Sequence, residues 1–267
     1  MNEAEPRVER SVVWRSLTYA LEPVAYVHAL WEAGAAAFGR VDPWSDIDAY
    51  VVVDDDRVPD VFRVIEAALE GVSPIEQKYE VTHPPESGLF QAFYRLRDAS
   101  PFLIVDLAVF TRSARDKYLE PELHGKAVFA FNKAQAVEIP HVDAVRFVAA
   151  LMERKARLRA RFEMFHLFVE KEVHRGNWIE AMDAYRAIVL DSLLEVLRMK
   201  HGPLHYSFRS RYVHYEIPPE VVSRFQRLCY VRDQHDFQEK YREGVKWFRQ
   251  ALGEVEEAEV RARLGAT

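Results

Sequence analysis

The chain has 267 residues, 49% of them hydrophobic, with a formal net charge of -6 and one cysteine, Cys229. That length and apolar content imply one large domain or two modest ones and exclude global disorder. The mild acidity argues against a non-specific nucleic-acid or membrane-surface binder, and a lone cysteine excludes both an intrachain disulfide and a Cys-rich zinc site.

The N-terminal stretch MNEAEPRVER is charged and lacks the apolar centre of a signal peptide. No apolar run approaches the length of a membrane span, so the expectation is a soluble, cytoplasmic protein. Residues 7–21 have helical spacing, and Pro23 ends the pattern. Residues 24–33 predict a strand leading into a loop at Gly34. IDAYVVV, residues 47–53, is the clearest strand in the chain. DVFRVIEAALEGV, residues 60–72, reads as an amphipathic helix ended near Gly71. Residues 76–82 give a weak strand, and residues 89–97 and 102–110 give a hairpin across the turn DASP.

Beyond Pro140 the character changes. Residues 142–173 contain no proline or glycine and predict one helix, broken by RGN at 175–177. A second helix runs from Trp178 to Lys200, and residues 220–230 and 233–257 predict two more. The organisation is α+β over residues 1–140 and helical over 141–267.

The chemistry concentrates in GAAAFGRVDPWSDIDAYVVV, residues 34–53. Strand side chains alternate, so Asp46 and Asp48 share one face and Ile47 takes the other. Two adjacent carboxylates repel and raise each other's pKa, and a divalent cation between them removes the problem. Oxygen-only ligands suit Mg²⁺ with waters and substrate phosphates completing its shell. Asp106, alone in the apolar run FLIVDLAVF, is a candidate third carboxylate for a metal pair. It also reads as a hydrogen-bonded core or edge aspartate. Gly34, Ala35, Ala36, Ala37 and Gly39 allow close approach to the backbone, whose N–H groups can cradle phosphate. The same loop also reads as a tight turn between strands.

Gly34-x4-Gly39-x5-Ser45-Asp46-Ile47-Asp48, followed by an apolar strand and then Asp106, resembles the DNA polymerase β-type nucleotidyltransferase superfamily. The two-part layout is similar to the kanamycin, streptomycin and lincosamide nucleotidyltransferases. The resemblance implies a catalytic domain with a mixed sheet flanked by helices, and a helical bundle that closes over substrate. It implies that Asp46 and Asp48 bind Mg²⁺, two ions in all, with the triphosphate. Asp106 completes the metal site or acts as general base, and Ser45 contacts phosphate or caps the turn. The family loop usually reads Gly-Ser, its serine hydroxyl holding the triphosphate; here that position is Ala35, which leaves backbone donors.

In the helical half, Arg154, Lys155, Arg157, Arg159 and Arg161 crowd one helix. This reads as a solvated basic face, or as a source of cations for the β- and γ-phosphates, with Lys155 and Arg159 the candidates. Asp191 lies in an apolar neighbourhood and would need an arginine partner if buried. HYSFRSRYVHYE, residues 205–216, reads either as a loop tying helices together or as a base-stacking, phosphate-contacting surface.

The expected function is Mg²⁺-dependent transfer of a nucleoside monophosphate, AMP from ATP, onto a hydroxyl of a small molecule such as an aminoglycoside-like antibiotic, with release of pyrophosphate. The alternatives are a degenerate nucleotide-binding module and a transferase acting on a protein or RNA acceptor. The acidic charge disfavours a nucleic-acid partner. Related transferases often pair, so a homodimer is a further expectation of the resemblance.

Overall fold

The computed structural model describes residues 8–265 and divides into two compact units after His141. The expectations for residues 1–7, including the absence of a signal peptide and the first residue of the N-terminal helix, lie outside the described residues.

The first unit runs α1 (Arg10–Leu21), β1 (Val27–Glu32), α2 (Gly34–Ala37), β2 (Ile47–Val53), α3 (Val58–Glu70), β3 (Ile75–Val81), β4 (Leu89–Leu96), β5 (Ile104–Thr111), α4 (Pro121–His124) and β6 (Val128–Asn132). The strands form one mixed sheet in the order β3-β4-β5-β2-β1-β6. β2 and β5 are parallel, and every other adjacent pair is antiparallel. The period-2 alternation of β2 sends Ile47, Ala49, Val51 and Val53 to one face. There they meet Val13, Leu17 and Leu21 of α1 and Val61, Ile65 and Leu69 of α3, all buried. Each set of helix positions falls on one side at three- or four-residue spacing, which is why both helices lie on this face. The opposite face carries a smaller core of Trp31, Val52, Ala108 and Phe110. Trp31 stacks on Phe110 and meets Tyr50 edge-on. Asp48 and Asp106 lie on this thinner side.

Two features of this unit differ from the sequence expectation. The small-residue loop is a single helical turn, α2, whose Ala37 carbonyl accepts from the Lys126 N–H at 2.9 Å. β6, unpredicted, pairs with β1 along the far edge of the sheet. Its five residues are too few to show a period by themselves.

The second unit comprises α5 (Ala144–Phe165), α6 (Leu167–Arg175), α7 (Trp178–Ala184), a π-helical turn (Tyr185–Leu190), α8 (Asp191–His201), α9 (Val213–Glu216), α10 (Pro219–Cys229), α11 (Gln234–Gly253) and α12 (Glu257–Leu264). The predicted helix over 142–173 is interrupted at His166, the one beyond Trp178 carries the π turn, and the last divides after Gly253. The core gathers Tyr185, Val189, Leu193 and Leu197 with Phe162 and Phe248. The fold is therefore α+β: a mixed sheet with helices, followed by a helical unit.

Arg198 of α8 is fully buried and organises residues 205–216. Its Nε donates to the Arg209 carbonyl at 2.6 Å, its Nη1 to Glu216 Oε2 at 2.8 Å and the His205 carbonyl at 3.3 Å, and its Nη2 to the Arg211 carbonyl. His205 and Glu216 are themselves bonded at 3.0 Å. Of the two readings of this stretch, the tie between helices fits these bonds. Asp191 has an arginine partner, Arg209 at 2.7 Å, but its side chain is 47% exposed rather than buried.

Candidate active site

β2 and β5 are parallel neighbours, and their register sets Asp48 directly against Asp106. Paired residues in adjacent strands face the same side at a strand spacing of about 4.8 Å. Asp46 lies just before the first residue of β2. Of the three predicted carboxylates, Asp48 and Asp106 are thus set side by side near the end where β2 begins, and Asp46 lies just outside the strand.

Each is oriented by a different partner. Asp46 Oδ1 accepts from the Ile104 N–H at 3.4 Å. Loss of water at the strand mouth pushes the Asp46 carboxyl up, against the opposing pull of the Ile104 N–H and the Arg10 charge. Asp106 Oδ1 accepts from Gln91 Nε2 at 2.6 Å. Gln91 Oε1 faces His83 Nε2 at 3.0 Å. With its amide nitrogen committed to Asp106, Gln91 presents oxygen to His83, so His83 Nε2 carries the proton in this arrangement. Asp48 abuts Gly34: a Cβ at position 34 would lie 1.7 Å from Asp48 Oδ2. Gly34 also has φ +52°, the left-handed region. The close approach that the glycine permits is therefore to the Asp48 side chain.

Among the described residues, no three His, Cys, Asp or Glu side chains gather as one metal-ligand group. Asp48 and Asp106 share a face, and with Asp46 they do not form a converging set. The donor set is oxygen throughout, with one carboxylate pair side by side, and its chemistry fits a hard divalent cation.

Ser45 closes its own turn: its Oγ donates to Asp42 Oδ1 at 2.8 Å and accepts from the Asp42 N–H at 2.9 Å. These bonds are those of a turn cap. Ala35 lies in the α2 turn, where its carbonyl accepts from the Arg40 N–H at 2.8 Å, and Gly39 follows with φ +65°. In the helical unit, Lys155 and Arg159 line a cavity of about 340 Å³ with Glu163 and Arg249. The Lys155 ammonium donates to the Val255 carbonyl, and Arg249 makes a two-pronged pair with Glu163 at 2.9 and 2.7 Å. Arg154 pairs in the same two-pronged way with Glu195, at 2.6 and 2.8 Å.

Arg10 and Glu32 escaped the sequence reading. Arg10 Nη2 bonds Glu32 Oε1 and donates to the Asp46 carbonyl at 3.1 Å. Burial lowers the Arg10 pKa, against the charges of Asp48 and Asp46, which hold its proton on. Glu32 carried the same signal as Asp106, an acid inside an apolar strand run, in VHALWE. Gln91 and His83 carried none.

No family model and no curated protein matches this sequence. Among solved structures, the chain is similar to a spectinomycin adenyltransferase, AAD(9), from Enterococcus faecialis, solved with ATP and spectinomycin. The identity is 13% over 96% of this chain and 97% of that one, with a TM-score of 0.32. It is also similar to the STING-associated CdnE c-di-GMP synthase from Capnocytophaga granulosa, at 11% identity over 93% of this chain and 83% of that one, with a TM-score of 0.29. At such values the site rests on this chain's own geometry.

Proposed function

We propose that the chain is a nucleotidyltransferase that moves AMP from ATP onto a hydroxyl of a small molecule, releasing pyrophosphate. The observation that carries this reading is the Asp48–Asp106 pair, set side by side by the parallel β2–β5 register, with Gly34 against the Asp48 carboxylate. Two carboxylates set side by side repel, and a cation between them removes that repulsion.

In this reading Asp48 and Asp106 hold Mg²⁺, with Asp46 at the mouth. Bound there, Mg²⁺ supplies charge neutralisation for the triphosphate and lowers the pKa of the attacking hydroxyl. The acceptor oxygen bonds to the α-phosphorus in line, and the bond from that phosphorus to the β-bridging oxygen breaks. Pyrophosphate takes the electron pair. Asp106, oriented by Gln91, takes the hydroxyl proton. Positioning and charge supply the catalysis, with no covalent enzyme intermediate.

The test is calorimetry with ATP, with and without Mg²⁺, followed by pyrophosphate release with a panel of hydroxyl-bearing small molecules. ATP should bind in a Mg²⁺-dependent way. Asp48→Asn should cut transfer by at least ~100-fold, as expected when a charge acting in the transition state is removed, with the circular-dichroism spectrum unchanged. Retained turnover in Asp48→Asn would overturn the site. ATP binding without turnover on any acceptor would favour the degenerate module, the reading to which Ala35 points.

A further inference from the structure

Arg10 approaches the acidic mouth from α1. Its Nη2 is shared between the Glu32 carboxylate and the Asp46 carbonyl. Its Nε is buried and has no hydrogen-bond partner. Glu32 is 5% exposed and sits in register with Ala49, so it faces the α1 side of the sheet, behind the strand position that carries Asp48. The guanidinium is thus anchored by a buried acid and held against the backbone of Asp46, which places a fixed positive charge at the start of β2. Carboxylates crowded at the end of a strand repel when no cation is bound, and a fixed positive charge offsets that repulsion.

We propose that Arg10, anchored by Glu32, is an internal counter-cation: it keeps the Asp46–Asp48 mouth formed without a divalent ion and sets how tightly the site takes one. The inference rests on the reading of the carboxylates as a divalent-cation site. Arg10 acts through Asp46 and Asp48, so it is a positioning residue. Glu32 then tunes Arg10, since the pair is close to neutral as a unit and either half alone is not.

The two halves make opposite predictions. Arg10→Gln leaves the mouth one charge more negative and should tighten Mn²⁺ binding, read by calorimetry on the full chain. Glu32→Gln leaves it one charge more positive and should weaken Mn²⁺ binding. Each change should be on the order of fivefold, the size of one charge acting at ion-pair range in a wet site. Arg10→Lys, which keeps the charge, should stay near the wild type. A purely structural role would weaken Mn²⁺ binding in both charge variants, and that result, or an unchanged affinity in both, overturns the proposal. Should Arg10→Gln fail to fold, the salt dependence of Glu32→Gln decides: its loss of affinity relative to the wild type should shrink at high ionic strength, and a loss that persists unchanged overturns the proposal. A wild-type chain that binds no Mn²⁺ would instead overturn the divalent-cation reading itself.

Discussion

A methyl group at position 34 would collide with the Asp48 carboxylate, and the backbone there is left-handed besides. The two penalties are separable. Gly34→Ala should destabilise the chain by ~2–4 kcal/mol, combining left-handed strain of about 1–2 kcal/mol with displacement of Asp48. In an Asp48→Ala background the cost should shrink to the strain alone. Urea denaturation of the four-member cycle checks this; equal costs in both backgrounds would mean that the collision is relieved elsewhere. The sequence made Asp46, Asp48 and Asp106 legible because charge inside an apolar period is conspicuous. It did not reveal Gly34's neighbour, since contact across strands depends on register. Arg10 stayed hidden because an arginine at the start of an amphipathic helix is unremarkable until its reach is known. The bond from Ser45 to Asp42 also depends on the turn geometry and could not be read from the spacing.

At the scale of elements, α8 shows how one charged residue can fix a neighbouring segment. Arg198 holds the carbonyls of His205, Arg209 and Arg211, and Glu216 balances its charge. Arg198→Met should cost about 3–5 kcal/mol, because it leaves Glu216 buried without its guanidinium and three carbonyls without their donor. Thermal unfolding would show the loss; a change under 1 kcal/mol would mean that water replaces the guanidinium. Elements with a clear period were legible: β2 was read to the residue, and β4, β5 and α3 to within a few. β6 was too short, and the kink at His166 leaves the backbone nearly helical, with φ -60° and ψ -25°. Periodicity reports which face is buried and is blind to such small departures.

For the whole molecule, two separate cores stand behind the division after His141, and the compositional change beyond Pro140 falls close to it. Among the described residues no helix is long and apolar enough to cross a membrane. Global stability should fall on acidification. His166 is buried, its Nδ1 2.8 Å from Tyr241 Oη and its Nε2 3.2 Å from Arg249 Nη2. Burial first, then the Arg249 charge, pushes its pKa down, with Glu163 and Glu170 opposing. The unfolded chain therefore binds a proton near the ordinary value of about 6.5, where the folded chain does not. The stability this contributes is complete above that value and is lost as pH falls through the lower folded one. The melting temperature should drop by a few degrees between about pH 7.5 and pH 5.5, and the drop should be smaller in His166→Gln. Parallel pH profiles for the two proteins would remove His166 as the cause.

The parallel pairing of β2 with β5 has a consequence for assembly. Antiparallel β3, β4 and β5 follow one another in the chain and close through short connections, so they form early. β5 meets β2 only after a long loop has closed across α3, β3 and β4. During synthesis Asp48 emerges well before its partner Asp106, and the facing carboxylates come into being with this late, non-local step. An unfinished chain has no such pair. Any ligand that needs both carboxylates is thereby a reporter of completed folding, and its binding free energy adds to the stability of the finished sheet alone.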